Sequence, residues 1–319
     1  MKFGIEIVPN TTYDRLVELA KLAEKSNFDY IWVTDHYNNR NVYSVLTLFA
    51  LNTFQIKLGA GVANPYHVHP AVTASAIATV NEISNGRAVL GLAAGDKTTL
   101  EKIGITWDKP LKRIKEAVEI IRLLFSGNEV YYNGEFFKLN GAKLTFKSGN
   151  INIYIGAQGP KMIKLAFEVG DGVLVNSSNP DDFIELKKFE KKINFDLVAF
   201  TCFSIDSDSK KAKDLAKNVI AFVVSSASKA VLRKYQLENK AKEIKKAILK
   251  KNWSEVKKLI GDEIAEKMSI SGNKEEVIEK IDKFKKAGVS QIVIGSPIAF
   301  DKKKALELIG KDIIPLFKD

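Results

Sequence analysis

Six polar positions at or near the ends of apolar runs hold the side chains best suited to chemistry. Glu6 interrupts the run 3–8, Asp35 and His36 follow 30–33, Asp96 follows 87–94, and Gln158 and Asn176 follow 152–155 and 172–175. A carboxylate directed into an apolar interior is costly unless it is paired or used. Burial would raise its pKa and keep it protonated near neutrality, which makes Glu6 the candidate acid. Asp35 and Asp96 can accept hydrogen bonds from a ligand, or cap the helices that follow them. Gln158 and Asn176 offer neutral amides that bond carbonyl and N–H groups without adding charge. Gly159 permits close backbone approach, and a helix starting near Pro160 would present free N–H groups to an anion, with Lys161 nearby. Turn chemistry and an N-cap would use the same residues. Ser177, Asn179 and Ser296 are weaker candidates of this kind. His67 and His69 have the His-x-His spacing of metal ligands, but no third convergent ligand accompanies them, so no metal site is expected. Cys202 stands alone inside an apolar run, which excludes an intrachain disulfide and points to a buried structural thiol in a reducing cytoplasm.

The elements that position these residues alternate regularly. Apolar runs at 3–8, 30–33, 56–62, 87–94, 152–155, 172–175, 197–203 and 291–294 read as eight strands buried on both faces. Helical patterns lie between them at 13–26, 42–52, 70–84, 111–126, 161–169 and 181–192, from 209 onward, and at 303–317. Polar residues gather after the strands, where parallel α/β folds place their catalytic groups. Eight such units predict a (β/α)8 TIM barrel, a fold that occupies roughly 250 residues before insertions. A doubly wound open sheet is the alternative, although it would concentrate polar strand ends near one switch point. Residues 127–150 alternate aromatic and polar side chains around Asn-Gly turns and read as a β-hairpin excursion after the fourth strand. A helical insertion over about 225–272 separates the last two strands. No boundary suggests an independent second domain, so residues 1–319 read as a single barrel.

Composition narrows the classes. Hydrophobic residues make up 45% of the chain, yet no apolar run approaches the ~20 residues of a membrane span. The chain opens on its first strand with no signal-peptide pattern. The formal charge of +11 comes from lysines scattered among acids on helical faces, without a nucleic-acid motif, and so reads as a solvated surface. The same field would attract anionic small molecules. Neither a nucleic-acid nor a membrane partner is expected.

The segments 1–6 (MKFGIE), 34–41 (TDHYNNRN), 61–66 (GVANPY), 70–78 (PAVTASAIA), 86–91 (GRAVLG), 95–97 (GDK), 156–162 (GAQGPKM) and 294–298 (IGSPI) carry a resemblance that runs from end to end. They resemble the methylenetetrahydromethanopterin reductase family of methanogenic archaea, within the bacterial luciferase-like superfamily of barrels. The resemblance implies hydride transfer from reduced coenzyme F420, a deazaflavin, to methylenetetrahydromethanopterin in one-carbon flow to methane, with neither metal nor flavin. It implies a cytoplasmic homo-oligomer, a dimer or tetramer, in which the apolar stretch 221–230 is either interface or core. For that reaction Glu6 and Asp96 are the catalytic candidates: the place of Glu6 inside an apolar strand suits a group that donates or relays the proton that opens the substrate's imidazolidine ring, or a structural carboxylate bonded to neighbouring strands. Substrate contacts are expected from Glu6, Asp96 and Gln158. Cofactor contacts are expected from Asp35, His36, Gly61, Val62, Ala63, Asn64, Gly156, Ala157, Gln158, Gly159 and Asn176. A non-prolyl cis peptide is expected at Gly61-Val62, behind the deazaflavin. Another F420- or FMN-dependent luciferase-like oxidoreductase and a non-catalytic deazaflavin-binding protein are the alternatives.

Overall fold

Apolar runs buried on both faces leave their backbone groups only one another to bond, and here they do so as a closed parallel barrel. The computed structural model describes residues 1–189 and 193–318. Its strands in chain order are β1 (Lys2–Ile7), β2 (Tyr30–Val33), β3 (Lys57–Ala63), β4 (Ala88–Leu92), β5 (Val130–Asn133), β6 (Lys138–Ala142), β7 (Ile153–Ala157), β8 (Gly172–Asn176), β9 (Asp196–Ile205), β10 (Ile270–Gly272) and β11 (Gln291–Ile298). The sheet runs β9-β11-β1-β2-β3-β4-β7-β8 and closes through β8 on β9, with β10 added to the upper end of β9. The strands β5 and β6 form the anticipated antiparallel hairpin.

The helices are α1 (Tyr13–Lys25), α2 (Val42–Ala50), α3 (Pro70–Ile83), α4 (Lys97–Glu101), α5 (Pro110–Phe125), α6 (Pro160–Val169), α7 (Asp181–Ile184), α8 (Ser209–Ser226), α9 (Lys229–Lys234), α10 (Glu238–Leu249), α11 (Trp253–Met268), α12 (Lys274–Lys286) and α13 (Lys302–Leu308). Pro70, Pro110 and Pro160 each open a helix at its first turn, where the missing N–H costs nothing.

Three expectations change. The helix foreseen over 181–192 is only α7 followed by a 3-10 turn at Glu185–Lys188, and residues 190–192 of that span lie outside the described residues. The helix foreseen over 303–317 stops at Leu308. A π turn (Ile309–Ile313) and a 3-10 turn (Ile314–Leu316) follow, because Gly310 packs against Ser26 and Pro315 has no N–H to continue the ladder. The short β10 lies within a stretch read wholly as helical insertion, and it forms by pairing with Phe203, Ser204 and Ile205.

Two cores sandwich the barrel wall. Outside, residues such as Ile5, Ile31, Leu58, Leu90 and Ile155 meet the buried faces of the helices. Inside, Tyr30, Trp32, Val89, Tyr154, Leu174, Val198 and Val293 fill the lower barrel, with the Trp32 ring edge-on to Tyr154 at 5.3 Å. The floor is polar and paired: Lys2 bridges to Asp196 at 3.0 Å, and the Tyr154 hydroxyl donates to the same carboxylate at 2.7 Å. Burial pushes the Tyr154 phenol far up, so that hydroxyl stays a donor.

The helices α8, α10 and α11 build a third apolar cluster around Ile220, Val224, Ile244, Val256 and Ile260. Ala221 and Val224, in the stretch read as interface or core, are fully buried there. Phe222, in the same stretch, is exposed and faces the ring of Trp253.

Candidate active site

Above the Trp32 layer the barrel interior opens because small residues replace large ones. A Cβ at Gly91 would meet the Ala60 carbonyl oxygen at 2.3 Å. One at Gly156 would meet Ala93 Cβ at 2.8 Å and Val62 Cγ1 at 3.3 Å. Glycine at these two positions therefore lets Val62 lie deep between β4 and β7. Val62 and Phe200 sit half-buried on the interior apolar cluster and give the mouth an apolar base.

Two irregularities shape the rim. The pairing of β3 with β4 shifts between Ala60 and Ala63, and that of β11 with β9 shifts between Ile294 and Pro297. Each contains a cis peptide, Gly61-Val62 and Ser296-Pro297. The first is non-prolyl and lies where the family resemblance implied a cis bond, an isomer that the sequence by itself left open. Bulges of this kind re-aim backbone and side chains at the ends of strands.

Glu6 rises from β1 into this mouth. Its Oε2 accepts the Ser296 N–H at 2.7 Å. Oε1 accepts no hydrogen bond among the described residues, so one oxygen is held and the other is available. The thiol of Cys202 is pushed up chiefly by burial, and the charge of Glu6 adds to the rise. The thiol is buried and makes only a long contact to the Ala216 carbonyl, as fits a structural cysteine.

On the other side of the mouth, Asp35, His67 and Asn64 form one chain. His67 Nε2 lies 3.5 Å from Asp35 Oδ2, and His67 Nδ1 lies 3.0 Å from Asn64 Oδ1. A Cβ at Gly95 would meet the Asn64 amide carbon at 3.2 Å. Behind Asp35, burial pushes the Tyr43 phenol well up, with the Asp35 charge adding to it. The next layer out is aromatic. Tyr66 stacks near Trp107, the Trp107 indole N–H donates to the Ala94 carbonyl at 2.9 Å, and Arg113 lies over the Tyr66 ring at 4.5 Å. Burial raises the Tyr66 phenol to about 12 while Arg113 opposes the rise, and its hydroxyl donates to the Asp108 carbonyl at 2.6 Å.

Gln158 and Asn176 line a third part, a cleft of about 270 Å³ between the ends of β7 and β8 and the helices α8 and α9. Gln158 Oε1 accepts a long hydrogen bond from the Ser228 N–H, 3.4 Å. Deeper in, Asp182 Oδ2 accepts from the hydroxyls of Ser177, 2.5 Å, and Tyr235, 2.6 Å, while Lys234 bridges to its Oδ1 at 3.0 Å. The insertion thus forms one wall of the cleft.

The remaining candidates separate from these groups. Asp96 caps α4, its Oδ1 accepting from both the backbone N–H and the hydroxyl of Thr99 at 2.7 Å. His36 is exposed, and its side chain makes no hydrogen bond or ion pair among the described residues. Gly159 is the N-cap of α6 with open space where a side chain would be. Ala63 is buried in the bulge, where its carbonyl accepts from the Ala93 N–H. Ala157 is buried at the end of β7. His69 caps α3 through Nδ1 instead of facing His67 across a metal. Sequence reasoning took His67 only as a possible metal ligand and passed over its pairing with Asp35. The available signal was its place three residues after Asn64 in the same loop.

An apolar base, neutral amides at the rim and a carboxylate with one oxygen unbonded among the described residues suit a flat heteroaromatic ring with carbonyl and N–H edges. Thr34 continues the inward parity of Tyr30 and Trp32, and its hydroxyl is buried with no hydrogen-bond partner among the described residues.

Comparison with known proteins places this geometry in context. A model of the luciferase-like monooxygenase family matches residues 1–291. The chain is 55% identical to a 5,10-methylenetetrahydromethanopterin reductase of Archaeoglobus fulgidus over the whole of both chains. It is 45% identical to the reductase of Methanolobus tindarius, over 98% of this chain and all of that one. Among solved structures, the coenzyme F420-dependent tetrahydromethanopterin reductase of Methanopyrus kandleri superposes with a TM-score of 0.92, at 40% identity and over 99% of each chain.

Proposed function

The chain belongs to the luciferase-like monooxygenase family and, within it, to the 5,10-methylenetetrahydromethanopterin reductases, and from this we propose how its residues carry out that reaction. The reaction is reversible reduction of 5,10-methylenetetrahydromethanopterin to the 5-methyl form. Reduced coenzyme F420, when bound, supplies the hydride from C5. The protein's part is to hold two ring systems in register, exclude water and manage one proton.

The deazaflavin would lie on the Val62 side of the mouth, held by the segment Gly61, Val62, Ala63 and Asn64. The loop of Gly156, Ala157, Gln158 and Gly159, together with Asn176, would hold its other edge, and Asp35 and His36 would lie at the rim of β2. Gln158, between cofactor and substrate, would bond the pterin as well. Asp96 would reach the substrate only through Oδ2, because Oδ1 is committed to Thr99. Glu6 is the acid: Ser296 fixes one of its oxygens, and the other delivers a proton to the substrate nitrogen as the methylene bridge opens. The observation that carries the assignment is the end-to-end identity with the reductases, joined to a carboxylate held through one oxygen at the barrel mouth.

The test is anaerobic absorption spectroscopy with reduced coenzyme F420 and methylenetetrahydromethanopterin. Pterin-dependent return of the oxidised deazaflavin band is expected. A protein that binds the deazaflavin but shows no such return would lose the substrate assignment.

No helix among the described residues is long and apolar enough to cross a membrane. The proposed setting is the cytoplasm and the proposed form a homo-oligomer, a dimer or tetramer. Exposed Leu51, Phe54 and Val72, exposed Phe222 on α8, and exposed Leu249 and Trp253 on the insertion support assembly. Sedimentation at micromolar concentration should show more than one chain per particle, and a monodisperse monomer would overturn this.

A further inference from the structure

The orientation of one side-chain amide decides the protonation of His67. Asn64 Oδ1 accepts the Tyr66 backbone N–H at 3.1 Å, which only the carbonyl end of an amide can do. The same oxygen lies 3.0 Å from His67 Nδ1, so Nδ1 must carry a hydrogen. A neutral imidazole would then turn a bare Nε2 toward the Asp35 carboxylate at 3.5 Å, two acceptors face to face in a largely buried place. A second proton on the ring removes this conflict and gives Asp35 its only ion-pair partner among the described residues.

We propose that His67 is an imidazolium clamp, donating from Nε2 to Asp35 and from Nδ1 to Asn64, that fixes the Gly61–Asn64 bulge to the end of β2 for deazaflavin binding. It is a positioning residue: it acts through Asn64 on the bulge and does not enter the chemistry. The segment it steadies begins at the mouth's apolar base, where Val62 lies between β4 and β7. The other ionisable groups around the chain do not compete for this role. Tyr43, from α2, keeps its proton by burial. Tyr66, in the same loop, spends its hydroxyl on the Asp108 carbonyl and its ring on Arg113, which pairs with the Asp108 carboxylate at 2.9 Å. His69 caps α3 and lies edge-on to Phe137.

The clamp itself can be tested on the protein alone, independently of any reaction. The chain has 3 histidines, so nitrogen-15 histidine labelling and long-range proton–nitrogen correlation resolve each ring, and a His67→Gln variant assigns the signal by its loss. Both His67 nitrogens should be protonated at neutral pH, and a bare Nε2 would overturn the proposal. The positioning role, which rests on the assignment of coenzyme F420, is read from fluorescence titration with that cofactor and no pterin. His67→Gln should weaken binding about 10- to 100-fold, the range for loss of a charged hydrogen bond, while the His36 and His69 signals stay in place. His67→Arg, a fixed cation with several donors, should restore part of the loss. Unchanged affinity in folded His67→Gln would overturn the positioning role. Failure of turnover alone would instead count against the pterin assignment.

Discussion

Glu6→Gln should fold normally, bind coenzyme F420 with little change and lose about 10²- to 10⁴-fold in turnover, the usual worth of a positioned acid. Glutamine has the same shape, and its carbonyl oxygen can take over the hydrogen bond from the Ser296 N–H. The β11 bulge is therefore kept. What disappears is the ionisable oxygen, which the protein leaves unbonded among the described residues. Because a proton is needed in the transition state but not for binding, kcat should fall with little change in KM. Full turnover in a folded Glu6→Gln protein would reduce the carboxylate to a brace for β11. Glu6→Ala would remove acid and brace together and so separates the two roles less well.

The largest loss of stability is expected far from this mouth, at Arg87. Only 8% of this residue is exposed, at the entry to β4. Its guanidinium donates to the carbonyls of Ala50, Thr53, Ile56 and Ser84 and to the Thr53 hydroxyl, all at 2.8 to 2.9 Å. The loop it gathers is held from the other side by Glu24, whose Oε1 accepts the N–H groups of Phe54, Gln55 and Ile56. Arg87→Met would fill the volume but strand four carbonyls, three of them in the 50–56 loop. Removing one partner from such a buried charged network costs about 3–5 kcal/mol. Denaturant unfolding should show this loss, while turnover below the unfolding transition stays near the wild-type value. Arg87→Lys should recover only part of it, since an ammonium cannot span the fork that the guanidinium fills. A change in stability below about 1 kcal/mol would mean that the loop re-forms its bonds with water.

The barrel was legible because burial on both faces writes a strand as a plain apolar run, and all eight runs name barrel strands. The polar residues after those runs gather at one end of the barrel, where the proposed site lies, as Glu6, Asn64, Gln158 and Asn176 illustrate. What stayed hidden depended on partners distant in the chain. The three residues of β10 carry little pattern of their own and become a strand only against Phe203 to Ile205. The Asp35–His67–Asn64 chain joins the ends of two strands, and the bond between Glu6 and Ser296 spans nearly the whole sequence. No periodicity records such meetings. Asp96 shows the opposite case: the nearby Thr99 is enough to make it a cap, a local possibility that the sequence had already left open.

The footing of the helical insertion has an evolutionary consequence. It leaves the barrel from the end of β9 and returns through β10, whose residues 270–272 pair with residues 203–205 of that same strand. The Asp206 N–H donates to the Gly272 carbonyl, so the two stems meet within one hydrogen bond. With departure and return side by side and most of its apolar contacts internal, the segment has the topology of an exchangeable cassette. A lineage could lengthen, shorten or replace it without shifting the register of any of the eight barrel strands. Because it walls the cleft of Gln158 and Asn176, such exchanges would recast what that cleft admits while the Glu6 side of the mouth stayed as it is.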